Sequence, residues 1–83
     1  MSKTMNFLER EVMDARFDEV LAKYYEKLEK YHIKIDNLDN HFVQEYYFLA
    51  RIKNELWTTC DPTYLTQAEL ILSNAENYMA TMD

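Results

Sequence analysis

Eighty-three residues fit a single domain over 1–83, because independent domains usually run to about 100–150 residues. Apolar residues make up 48% of the chain, enough to build a small core, and glycine is absent. Without glycine the P-loop, the dinucleotide fingerprint, the nucleophile elbow and the standard calcium loop lose the residue their backbone turns on, and a net charge of −6 disfavours direct binding to nucleic-acid phosphates.

The first segment carries an apolar stripe of Met5, Leu8, Val12 and Ala15, with Asn6 and Glu9 spaced as a capping box, and predicts a helix over about 5–13. Phe17, Val20, Leu21, Tyr24, Leu28 and Tyr31 then recur on one side of a second helical stretch over about 15–32, with Asp18, Glu19, Ala22, Glu26 and Glu29 opposite. At about 100° per residue the two stripes point roughly 160° apart. Either the chain bends near Asp14 into two helices, or one long helix turns its first stripe to another copy or a partner. A polar loop follows over about 33–39, after which Asp39 or Asn40 caps a helix over about 40–58. The apolar side of that helix collects Phe42, Val43, Tyr46, Leu49, Ala50, Leu56 and Trp57, with Lys53 in their midst, where it must snorkel out or pair with a carboxylate. Asp61 followed by Pro62, or Thr66 with Glu69 slightly further on, starts a last helix over about 62–81. Leu65, Ala68, Leu72, Ala75, Met79 and Met82 form its stripe, widened by Ile71 and Tyr78. The expected fold is therefore all-α, a small antiparallel bundle of three to four helices.

Chemistry-bearing clusters are sparse. Glu29-Lys30-Tyr31-His32 has the Glu-x-x-His spacing of helical di-iron proteins, and His41 with Glu45 forms a further His and carboxylate pair, but the spacing occurs once and both histidines flank a polar loop. No metal and no cofactor is expected. Cys60 has no histidine within a turn in sequence, and Asp61 beside it opposes thiolate formation, so no nucleophile is expected either. The lone cysteine rules out an intramolecular disulfide, no signal segment precedes the first stripe, and no apolar run approaches the roughly 20 residues that span a bilayer. The sequence reads as that of a non-enzymatic cytoplasmic protein.

Residues that break the amphipathic pattern indicate where a partner docks. Phe48 and Ile52 lie one turn apart on the polar side of their helix, beside Arg51 and Tyr47, and with Leu8 and Val12 they form the expected partner-binding set. Leu70 is a single apolar residue on the polar side of the last helix. In the adjacent pairs Tyr24-Tyr25 and Tyr46-Tyr47, one ring is expected in the core and the other at its edge. Tyr25 with Lys23, Lys27 and Lys30 offers an alternative, a shelf and cations for a nucleotide-like ligand, although Glu19 and Glu26 stand four residues before lysines and suggest a solvated face. The expected function is stoichiometric binding and regulation or inhibition of a partner protein, with the chain itself a homodimer or higher oligomer. The class analogy is with inhibitors, immunity proteins, antitoxins and phage or mobile-element accessory factors. A sequestering helical oligomer and an acidic decoy of nucleic acid are the competing expectations.

Overall fold

A computed structural model of the chain describes residues 7–59 and 61–81, the side chain of Pro62 excepted. Among these, three helices and no strand occur: α1 Phe7–Lys30, α2 His41–Glu55 and α3 Pro62–Ala80. α1 is continuous through Asp14, so the four-helix alternative with a bend there is overturned. No proline or glycine interrupts its 24 residues, and a helix that long spans about 36 Å, enough to serve as the spine of the fold. α2 runs back along it and α3 returns parallel to it, giving an up-down-up arrangement with principal extents of 50 × 23 × 16 Å.

Each helix end has a local cause. α1 closes on His32, whose φ of 57° places it in the left-handed region usually given to glycine. Its N–H donates to the Glu29 carbonyl at 3.1 Å and that of Ile33 to the Leu28 carbonyl at 2.8 Å, the paired bonds of a Schellman turn built without glycine. Tyr31, expected on the core stripe, thus falls past the last turn and is exposed. The Asn40 side chain caps α2, accepting from the Phe42 and Val43 amides at 2.8 and 3.4 Å. At α3, Asp61 rather than Thr66 is the cap, accepting from the Thr63 amide at 2.9 Å with Pro62 in the first turn behind it. That bond, and a second that the Thr63 hydroxyl donates at 2.8 Å, hold the Asp61 carboxyl below its ordinary pKa.

The core is drawn from all three helices: Met13, Phe17, Val20 and Tyr24 from α1, Leu49 and Ile52 from α2 with Leu56 just beyond it, and Ala68, Leu72, Ala75 and Met79 from α3. Leu28 and Val43 are buried apart from this cluster. Trp57, expected inside, is instead exposed, with its indole N–H donating to Asp14 Oδ1 at 2.9 Å and its ring edge-on to Phe7 at 5.7 Å. Within each tyrosine pair, Tyr24 is buried and Tyr46 half-buried, while Tyr25 and Tyr47 face outward, as their spacing predicts.

Three cations on the inner flanks lock the helices together. Arg10 of α1 donates to the Leu56 and Thr59 carbonyls, both at 2.8 Å, and so neutralises the carbonyl end of α2. Lys53 pairs with Asp18 at 2.9 Å and lies 3.8 Å from Asp14, the pairing its place in the apolar stripe demands. The hydrogen bond to Asp18 raises its pKa against the opposing effect of burial. Arg16 joins α1 to Glu69 and Glu76 of α3 at 2.9 Å each.

Candidate functional site

On the outer face of α2, Leu38, Gln44, Tyr47, Phe48 and Arg51 surround a shallow depression of about 630 Å³. Its shape follows from how the preceding loop is pinned. Gln44 Nε2 donates to the Leu38 carbonyl at 2.9 Å and Tyr47 Oη to the Ile35 carbonyl at 3.1 Å, so loop residues 35–38 lie along the helix. Leu38 is thereby held outward, 63% exposed, next to Tyr47 and Phe48 at 44% and 37%. The Arg51 guanidinium stands 5.5 Å from the centre of the Phe48 ring, a cation–π contact that fixes both side chains. Arg51 Nε also lies 3.7 Å from Glu55, whose other oxygen accepts from Tyr64 Oη at 2.6 Å. Burial, followed by this bond to a carboxylate, pushes the Tyr64 phenol up to about 12.

Ile52 does not belong to this surface. It is 6% exposed and packs in the core, which corrects the expectation that it extends the Phe48 strip along the outside. Two neighbouring helices cover more of α2 than a single stripe predicts, and Ile52 lies on the side they enclose. Leu38 takes its place in the apolar surface. The signal for it was an isolated leucine between acidic and amide residues in Asp36-Asn37-Leu38-Asp39-Asn40, where no helical periodicity explains an apolar side chain.

Leu8 and Val12 face outward, 67% and 61% exposed, as a continuous α1 requires. They line a groove of about 340 Å³ with Met13, Arg16, Leu65 and Glu69, which shares no lining residue with the Phe48 surface. The structure therefore offers two separate apolar patches. Met5 of the same stripe lies outside the described residues, as do Asn6, Cys60 and Met82. Leu70 is exposed, in keeping with its position on the polar side of α3.

Lys23, Lys27 and Lys30 do share a cleft, of about 420 Å³, with Glu26, Glu76 and Met79. Tyr25 is not in it: the ring lines another hollow with Leu28, Glu29 and Ile33 and packs 6.3 Å from Tyr46. Two carboxylates stand among the lysines and the expected aromatic shelf faces elsewhere. The histidines stay apart as well. His32 follows the end of α1 in a left-handed turn, so it does not share a helical face with Glu29, and His41 Nε2 lies 3.9 Å from Glu45. Among the described residues no three His, Cys, Asp or Glu side chains come together as metal ligands. No helix among them is long and apolar enough to cross a membrane.

Comparison with protein families, with curated proteins and with solved structures finds no match to this chain.

Proposed function

We propose that this chain is a non-enzymatic helical protein that binds a partner protein stoichiometrically, and regulates or inhibits it, through the outer face of α2. One observation carries the reading: Leu38, Tyr47 and Phe48 are exposed together around a single depression with Arg51 stacked against the phenylalanine. Aromatic residues and arginine are the types enriched where protein interfaces concentrate their binding energy, and here hydrogen bonds and the cation–π contact pre-order them. Leu8 and Val12 support self-association through α1 in the same proposal, since a two-fold axis would set the two outward stripes against each other. The lone cysteine, which offers no disulfide framework, supports a cytoplasmic setting. A nucleotide-sequestering role draws less support, because Glu26 and Glu76 stand among the lysines and Tyr25 faces another hollow. A decoy of nucleic acid rests on the net charge alone.

The test uses the full chain as bait in a lysate of the cells that make it, beside Phe48→Asp with the fold checked by circular dichroism. A partner retained in one-to-one amount by the unmodified chain and lost by folded Phe48→Asp is the expected result. Equal retention by both removes the α2 face from the proposal.

A further inference from the structure

Phe48 separates the α2 depression from a second cavity, the cleft between α2 and α3, which has a volume of about 340 Å³ and Tyr24 of α1 in its lining. Small-molecule sites run from about 300 to 1,000 Å³ and combine apolar walls with a few convergent polar groups. The walls here are Phe48, Leu49, Ile71 and Ala75, and the polar groups come from all three helices: Tyr24, Glu45 with His41, and Asn74 with Tyr78.

Tyr24 is the unusual member. It is 1% exposed and its hydroxyl makes no hydrogen bond to another described residue, and since no sealed-off side-chain oxygen or nitrogen lacks a partner among those residues, the hydroxyl opens onto the cleft. Burial first, then the Glu45 carboxylate and the Tyr78 phenol, push it up to about 12, so it remains a neutral hydroxyl with both lone pairs available. The Glu45 carboxylate lies 3.9 Å from His41 Nε2, beyond hydrogen-bond range. No lysine or arginine lines the cleft. A carboxylate, two phenol oxygens and an amide oxygen accept, aromatic faces favour positive charge, and the net charge of −6 attracts cations to the surface.

We propose that the α2–α3 cleft binds a primary ammonium group on a short apolar stem, the ammonium donating to Glu45 and to the phenol oxygens of Tyr24 and Tyr78 and the stem lying against Phe48 and Ile71. Phe48 is shared with the partner-binding face, whereas Glu45, Tyr24 and Tyr78 belong to this cleft alone, so Glu45→Gln tests the cleft without altering that face. An anion of the same size is repelled by Glu45, and a neutral alcohol forgoes the charge-assisted bond.

The experiment titrates isotope-labelled full-length protein with phenethylammonium chloride, with phenylacetate as the size-matched anion, and with acetyl-Ala-Lys-Ala-amide as the same group on a peptide. Saturable shifts of the Glu45, Asn74 and Tyr78 amide resonances with phenethylammonium, and none with phenylacetate, are expected. Glu45→Gln, with the fold checked by circular dichroism, is expected to weaken binding about tenfold, the scale of one charge-assisted hydrogen bond. Tyr24→Phe, which removes only the hydroxyl, is expected to weaken it less. Binding of the amine alone assigns the cleft to free amines, and binding of the peptide, with or without the amine, extends it to lysine side chains. The absence of saturable shifts with either cation, equal shifts with phenylacetate, or undiminished affinity in Glu45→Gln overturns the proposal.

Discussion

Arg16 of α1 holds Glu76 of α3 by two parallel hydrogen bonds, Nη2 to Oε1 at 2.9 Å and Nε to Oε2 at 3.5 Å. Its remaining fork nitrogen, Nη1, donates to Glu69 Oε1 at 2.9 Å, so one guanidinium spans two turns of α3. These bonds, Glu76 first and then Glu69, raise the pKa of Arg16 further above its already high value. An ammonium has no planar fork and cannot reproduce the paired bonds to Glu76. Arg16→Lys is expected to lower stability by about 1 kcal/mol, discounted for the partial exposure of all three side chains. Urea titration followed by circular dichroism measures it as a lower midpoint with an unchanged slope.

Alkaline pH is expected to unfold the protein through Tyr24. In the unfolded chain its phenol loses a proton near 10, whereas in the fold it keeps the proton until about 12. A pKa raised by folding contributes stability that is fully present below 10 and is lost as pH rises from 10 to 12. The loss by the top of that window is on the order of 3 kcal/mol. Tyr64, shifted in the same direction, adds to it. Urea midpoints at several pH values, with Tyr24→Phe for comparison, separate this contribution, since the variant is expected to show a shallower decline.

His32 carries the turn after α1 at a left-handed φ of 57°. A side chain with a Cβ costs about 1–2 kcal/mol there, and glycine does not incur that cost. His32→Gly is expected to stabilise the fold by about 1 kcal/mol, seen as a rise of about 4–8 °C in Tm. His32→Val, β-branched at the same φ, is expected to lower Tm.

Phe48 and Leu72 form a contrast. Phe48→Asp changes a position 37% exposed, removes the Arg51 contact and part of the cleft wall, and is expected to lower stability by about 1 kcal/mol. Leu72 is fully buried, and Leu72→Asp places an unpaired carboxylate in the core, expected to cost several kcal/mol out of a total of about 5–15. Thermal melts of the two variants check this. If Phe48→Asp unfolds as Leu72→Asp does, Phe48 belongs to the core.

Self-association through α1 is expected to respond to Val12→Asp, which sets a charge in the outward stripe without touching the core. Sedimentation velocity should show a dimer for the unmodified chain at high micromolar concentration and a monomer for the variant. A monomer in both cases removes the second copy from the proposal.

The helices and most of the core were legible because 100° periodicity reports directly on which face a neighbour covers. Phe17, Val20, Tyr24, Leu49, Leu56 and Leu72 are buried where their stripes place them. Ile52 escaped because α2 is enclosed by two helices. It lies about 60° from Leu49 and about 40° from Leu56 around the axis, inside an arc wider than one stripe. Conversely, the core-side Trp57 lies exposed past the last turn of α2, satisfied by Asp14. The interhelical roles of Arg10 and Arg16 left no local signal at all. Each depends on where the far end of another helix arrives, and only Lys53, stranded among apolar residues, announced a partner in advance. For the candidate surface, Phe48, Tyr47 and Arg51 were visible as pattern breaks, while Leu38 joined them through a loop whose path the Gln44 and Tyr47 hydrogen bonds set.

The long α1 gives the molecule an uneven mechanical character. α2 and α3 both lie along α1 through buried side chains, whereas they meet each other chiefly through the Phe42–Tyr78 stack at 6.2 Å, the Tyr64–Glu55 bond and the cleft walls. Parting the two shorter helices at the cleft gives up the ring stack and the hydrogen bond and uncovers part of the core cluster to which Leu49 and Ile52 contribute with Leu72 and Ala75. An opening there is expected to cost less than global unfolding, so amides of α2 and α3 around the cleft are expected to exchange with solvent before those in the middle of α1.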